Sequence, residues 1–301
     1  MQLIRNALTG AGKTVDNWFL EPIDARVYAL VRITYAVVVL AVVIELWPVR
    51  AALFSEDGMS FHRPDLLWYL PLKYVRSQAA VTALMVGVGT AAVMMGLGLF
   101  TRFAALALYL WNFAYCAIGY PAESGYDGVV RIVGFVLLLA PPARVWALDG
   151  RIFGKGHESP PRYALRCLQV QLGIIYVCTV WLKAPDSYWR SGELMAYFMM
   201  SMYSRLPVAE WAFWGRTSVL MTWGSLLTEA MIPFALFSTR FRRWGFLMGL
   251  ALHGGIAISS TIGMFSLAMV PLYAAFVSSE DVDYLISRYG WLKQLTPRAP
   301  K

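Results

Sequence analysis

Apolar residues in this chain come in long unbroken runs, with neither the strict alternation of a strand nor the one-sided stripe of a soluble helix. A bilayer core needs about 17–25 consecutive apolar residues to be crossed by a helix. On that measure the pattern predicts eight spans, approximately Arg26–Trp47, Ala79–Phe100, Phe103–Tyr120, Asp127–Ala143, Ala164–Lys183, Thr217–Phe237, Trp244–Thr261 and Met264–Val277. The second and third are separated only by Thr101–Arg102, and the last two by Ile262–Gly263. The fold class expected is therefore an all-α polytopic membrane protein. Residues 1–25 are expected to form a short cytoplasmic or interfacial segment, 26–277 the transmembrane domain, and 278–301 a short cytoplasmic tail. The opening MQLIRNALTGAGKTVDNWF lacks the apolar core and small-residue cleavage site of a signal peptide. Two connections are long, Pro48–Gln78 and Ala184–Arg216, and both mix Trp, Tyr, Phe and Met with charges. That mixture suits amphipathic segments lying in the interface, or a lid folded over a cavity.

Composition narrows the class further. The chain has 301 residues, of which 58% are hydrophobic and only 15% charged, against about 25% charged in soluble domains. Spans and short loops use almost all of it. The net charge of +8 acts first on topology, because no basic stretch is interleaved with aromatics in a soluble context. Nucleic acid is not an expected partner; membrane lipids are. With the N-terminus in the cytoplasm, the short inward loops collect Arg102, then Arg144, Arg151, Lys155, Arg162 and Arg166, then Arg240, Arg242 and Arg243. Both tails add further Lys and Arg, while the two short outward loops carry none. The positive-inside rule thus predicts both termini in the cytoplasm. Cys116, Cys167 and Cys178 lie in or beside apolar runs without CxxC spacing and are expected to be small buried hydrophobes.

Ionisable groups inside spans are costly and mark candidate sites. They are Arg32 two turns into the first span, Asp127 opening the fourth with Arg131 one turn later, Glu229 deep in the sixth, and His253 deep in the seventh. Glu45 lies near the outer end of the first span, and His62 in the first outer connection. Lys183 ends the fifth run, LRCLQVQLGIIYVCTVWLKA, just before PDSYW. Burial disfavours an ammonium, and a neutral amine is a usable base. The structural alternatives are a Lys183 that snorkels to the headgroups and ion pairs of Arg32 or Arg131 with Glu229 that merely position helices. The topology sets Asp127 and Lys183 on the outer side beneath the aromatic connections, which favours a site. Glycines in GVGTAAVMMGLG allow close helix approach. With no HExxH, GxSxG or ligand cluster, no metal is predicted.

The segments IYVCTVWLKAPDSYW and HGGIAISSTIGMFSLAMV, with GYDGVVR and LLTEAMIPFALFSTRFR, resemble the membrane portion of vitamin K-dependent gamma-glutamyl carboxylase. They are equally similar to the bacterial horizontally transferred transmembrane (HTTM) proteins built on that portion. The resemblance runs from the first span to Val277 and implies a multi-pass protein of the bacterial plasma (inner) membrane. In the carboxylase a lysine matching Lys183 deprotonates vitamin K hydroquinone, so Lys183 is implied as the base. His253 matches the histidine before the IGMFS phrase, and Asp127 stands where the carboxylase has a histidine. A carboxylate cannot donate a hydrogen bond unless protonated. The implied catalytic set is Lys183, Asp127 and His253. The implied substrate- or cofactor-binding set is Tyr176, Trp189, Arg131, Glu229, Arg32, Met264 and Phe265. A counterpart of the large propeptide-binding domain is not expected, and substrate recognition is expected to differ from the carboxylase's.

Three functions are expected. One is an enzyme with an outer-face lysine base acting on a reduced quinone, of menaquinol or vitamin K hydroquinone type, coupled to modification of a small secreted peptide; it would be a lyase-like, quinol-epoxidising activity. Another is a non-catalytic quinone- or lipid-binding subunit, or a maturation and export partner for such a peptide. The third is a proton-coupled transporter using Glu229 and His253.

Overall fold

The computed structural model describes residues 16–58, 76–118, 123–154, 156 and 159–288, and the described part is helical, with only two isolated β-bridges and no strand. It forms two compact units, one reaching Leu168 and resuming at Val277, the other Gln169–Phe276. His62 and most of the first outer connection lie outside the described residues.

The first unit contains α1 (Ala25–Leu46), α2 (Gln78–Leu97), α3 (Thr101–Ile118) and α4 (Gly125–Leu139). Side chains set where these helices start. Asp24 accepts from the Arg26 amide at 2.8 Å, and Ser77 accepts from the Ala80 amide at 3.3 Å. Asp149, far along the chain, accepts from the amides of Phe100 at 2.6 Å and Thr101 at 2.9 Å and so caps α3. Gly98, at φ 64, ends α2 and returns its amide to Met94 and Met95. α1 packs on α2 and α4, and α3 bridges α2 and α4. At the contact of α1 with α2, a Cβ on Gly96 would lie 3.3 Å from the Ala36 methyl, the close approach expected of the glycine-rich run.

The second unit contains most of α5 (Tyr163–Lys183), then α6 (Gly215–Phe237), α7 (Arg242–Ser259), α8 (Gly263–Ala268) and α9 (Val270–Ala274). The connection from α5 to α6 is folded. It forms short helices at Ser187–Ser191 and Leu194–Met200 and a 3₁₀ turn at Ala209–Phe213. Two amides in the first turn of the second short helix donate outside their own segment: Met195 N–H to Thr222 Oγ1 at 3.2 Å and Ala196 N–H to Ser218 Oγ at 3.0 Å. Both hydroxyls in turn donate to the Gly192 carbonyl, Ser218 at 2.8 Å and Thr222 at 3.0 Å. Two buried hydroxyls on one face of α6 thus dock this connection like a lid. Arg205 and its backbone fasten the far end, donating to the carbonyls of Ala257, Ser259 and Ser260 where α7 ends.

Most of each expected span falls, among the described residues, on a helix or a broken pair of helices. Among the described residues, four helices are long and apolar enough to cross a membrane: Ala25–Phe54, Gln78–Leu97, Tyr163–Lys183 and Gly215–Phe237. A fifth is reached only by joining Gly263–Ala274 to Ser279–Arg288 across a break. The run Met264–Val277 is broken between Ala268 and Val270, and Asp127–Ala143 is helical only to Leu139 because Pro141 and Pro142 come next. The cysteines correct one expectation: Cys116 is buried, but Cys167 and Cys178 are exposed on α5.

Gly192 closes the lid at φ 80, and a Cβ there would sit 2.7 Å from Val219. Gly192→Ala should therefore cost about 1–3 kcal/mol locally and undock the connection. Limited proteolysis of the protein in detergent should show faster cleavage between residues 184 and 214, and wild-type cleavage rates would contradict this packing.

Candidate functional site

α5 presents Tyr176 and Lys183 seven residues apart, about 10 Å along the axis and on nearly the same face. PDSYW sets the path of the chain beyond Lys183. The backbone turns at Ala184–Pro185, and Asp186 caps the next helix by accepting from the amides of Tyr188 at 3.0 Å and Trp189 at 3.2 Å. That cap fixes Trp189, whose ring centroid lies 4.6 Å from the Lys183 Nζ.

Nζ donates to both oxygens of Glu229, at 2.6 and 2.7 Å. Glu229 lies fourteen residues into α6, about 21 Å along it at ~1.5 Å per residue. The end of α5 therefore meets α6 about two turns beyond Thr222, on which the lid is docked. The lysine side chain is 26% exposed and the carboxylate only 9%. The snorkelling alternative is thus replaced by a bidentate pair, and Glu229 is joined to Lys183 in place of either arginine. Pro233 adds a local peculiarity. It has no N–H to offer the Glu229 carbonyl one turn earlier, so the acid sits where the α6 ladder is interrupted.

The buried face of α7 consists of Gly245, Gly249 and His253, one turn apart. A Cβ on Gly245 would lie 3.0 Å from the Leu236 backbone nitrogen, and one on Gly249 would overlap the ring of Tyr273. The two glycines let α6 and α9 close onto α7. Tyr273 then meets Tyr176, Oη to Oη, at 2.6 Å, and Tyr176 Oη meets His253 Nε2 at 2.7 Å. These three side chains form a continuous hydrogen-bonded chain across α9, α5 and α7. His253 Nδ1 is buried without a hydrogen-bond partner. Phe265, from TIGMFS, sets its ring centroid 6.0 Å from the imidazole, and Met264 beside it is half-buried.

The remaining expected residues belong to the first unit. Asp127 is fully buried and closes a capping box, accepting from the Ser124 amide at 2.7 Å; its Oδ1 has no hydrogen-bond partner. Arg131 donates to Asn112 and Glu123, both at 3.1 Å, and stacks 4.7 Å over Phe113. Arg32 donates to the Trp146 carbonyl at 2.6 Å. Glu45 is exposed. Tyr273, Asn112, Glu123 and Arg205 carry polar roles that their sequence positions did not single out. Only the cap was signalled locally, as S-x-x-D at Ser124–Asp127.

The family model described as the HTTM domain matches residues 20–280, most of the chain. No curated protein and no solved structure matches it.

The fit of Gly249 to Tyr273 can be tested directly. Gly249→Ala should displace the Tyr273 ring and cost about 1–3 kcal/mol, read as a lowered melting temperature in detergent. In a Tyr273→Ala background the same Gly249→Ala change should cost little, because the overlapping group is gone. A wild-type melting temperature for Gly249→Ala would show that the rings do not approach as described.

Proposed function

Because the chain belongs to the HTTM domain family, we propose that it is a membrane enzyme in which the Lys183–Glu229 pair accepts a proton from a quinol-like lipidic substrate. We place all eight apolar runs across the plasma membrane with both termini cytoplasmic, and couple the reaction to modification of an exported peptide. The observation carrying this reading is the bidentate contact of Nζ with both Glu229 oxygens at 2.6 and 2.7 Å, beneath Trp189.

A bare lysine base would have to be neutral, whereas this lysine faces a carboxylate. The pair solves the problem together. Glu229 takes up the proton while Lys183 stays positive, so a proton is removed and a cation remains beside the atom that lost it. An ammonium has three N–H bonds, and Glu229 occupies two, leaving one for a substrate oxygen. Trp189 supplies a flat apolar wall. These features suit the hydroxylated ring of a reduced quinone, which would contribute an acidic hydroxyl and reducing electrons. The Tyr273–Tyr176–His253 chain lies about two turns along α5 from Lys183 and can relay a proton among its own members, each of which can donate and accept.

The same ion pair would also serve a non-catalytic quinone- or lipid-binding component, and substitution separates the two. Lys183→Met alone strands a buried carboxylate, so Lys183→Met/Glu229→Gln is the informative variant, removing both charges together. In membranes supplied with menaquinol and oxygen, the double variant should consume quinol at least ~100-fold more slowly than wild type. It should still bind a menaquinone analogue. Unchanged consumption and an unchanged cellular phenotype would refute the base reading.

A further inference from the structure

The first unit holds a second polar site, independent of Lys183. A pocket of about 390 Å³ lies where α2 turns into α3 and where α4 ends. Arg32, Arg102 and Arg144 line it, against a single acid, Asp149. Both Asp149 oxygens are already engaged by Phe100 and Thr101, and none of the three arginines forms an ion pair among the described residues. Arg32 is the costliest of them, 3% exposed, with a backbone carbonyl as its acceptor and its Nε left without a partner. Arg144 likewise donates only to carbonyls, those of Phe153 and Gly154 at 2.7 and 3.0 Å. Arg102 is exposed and makes no hydrogen bond among the described residues.

Backbone strain gathers at the same place. Among the described residues, only Phe100 and Trp146 adopt positive φ without being glycine, at 46 and 50°. Phe100 lines the pocket, and Trp146 presents the carbonyl that holds Arg32. Strain of this kind persists where the surrounding structure enforces it, and it concentrates at ligand sites. Three guanidinium groups and one engaged carboxylate leave the cavity with an excess positive charge, and guanidinium suits the oxygens of a phosphate. Apolar surface adjoins it: Phe100 is 48% exposed and Phe103 67%.

We propose that this pocket binds a phosphate-bearing anion, with Arg32 and Arg144 forming its floor and Arg102 its movable arm. The exposed Phe100 and Phe103 beside the arginines favour an acidic lipid headgroup, its chain lying along the rings, over free phosphate.

Purified protein in neutral detergent can be titrated with dioleoyl phosphatidylglycerol, dioleoyl phosphatidylcholine or inorganic phosphate, reading the melting temperature and, by native mass spectrometry, retained lipid. Wild type should retain phosphatidylglycerol in preference to phosphatidylcholine. Arg102→Gln, which breaks no hydrogen bond, should weaken retention roughly fivefold, the effect of about one basic contact with an anionic lipid. Adding Arg144→Gln should weaken it further, and Arg240→Gln/Arg243→Gln, with the same loss of charge elsewhere, should not. Stabilisation by inorganic phosphate alone, with the same dependence on Arg102, supports the site and assigns it to a free phosphate. Binding of either probe that is indifferent to Arg102, or equally lost in the Arg240/Arg243 variant, overturns the proposal.

Discussion

The second unit is organised around a buried carboxylate and the partly exposed ammonium that pairs with it. Either charge alone among apolar helices would be strongly unfavourable, and each is tolerable because the other lies 2.6 Å away. That requirement dictates much around it. Lys183 meets Glu229 on α6, and the chain after it docks on Ser218 and Thr222, on the stretch of α6 that precedes Glu229. Trp189 then covers the ammonium with a ring face, which favours the charge without offering it water.

The first unit handles charge differently. Its buried acids act on helix starts: Asp149 caps α3 and Asp127 caps α4. Its deepest arginine leans on a backbone carbonyl. These groups are satisfied by main chain more than by opposite charges, so positive charge remains available at the end where α2, α3 and α4 meet. The Lys183–Glu229 pair thus neutralises its own charges, while the arginines of the first unit's pocket form no ion pair among the described residues.

Much of the fold was readable from the order of residues because helix placement in an apolar chain needs only run length and breakers. Run length places the helices but not their ends: the fourth run extends over Pro141 and Pro142 to Ala143, and the second past Gly98 to Phe100, whereas the helices stop at Leu139 and Leu97. The candidate site was readable in part. Lys183, Glu229 and His253 stand out as polar groups in apolar runs and Tyr176 through the resemblance alone, but their partners do not, since pairing is a matter of helix rotation and depth. Glu229 could have met any of three cations by composition. Tyr273 gave no local signal, because its role depends on a hydroxyl 97 residues away in sequence. S-x-x-D announces the helix cap that Asp127 forms, a role separate from the catalytic one the resemblance implies, and the two cysteines expected in the core project outward. Inside a membrane, exposure means contact with lipid, and a thiol incurs little penalty there.

The fit of Gly249 against Tyr273 carries a consequence for divergence. A missing Cβ on α7 and a phenol on α9 are two halves of one shape, and neither is selected independently. A lineage that enlarged position 249 would have to shrink position 273, and with it would lose the hydroxyl that anchors Tyr176. Drift at these two positions is therefore coupled to the polar chain itself, so a descendant that abandons the glycine will also have abandoned whatever that chain does.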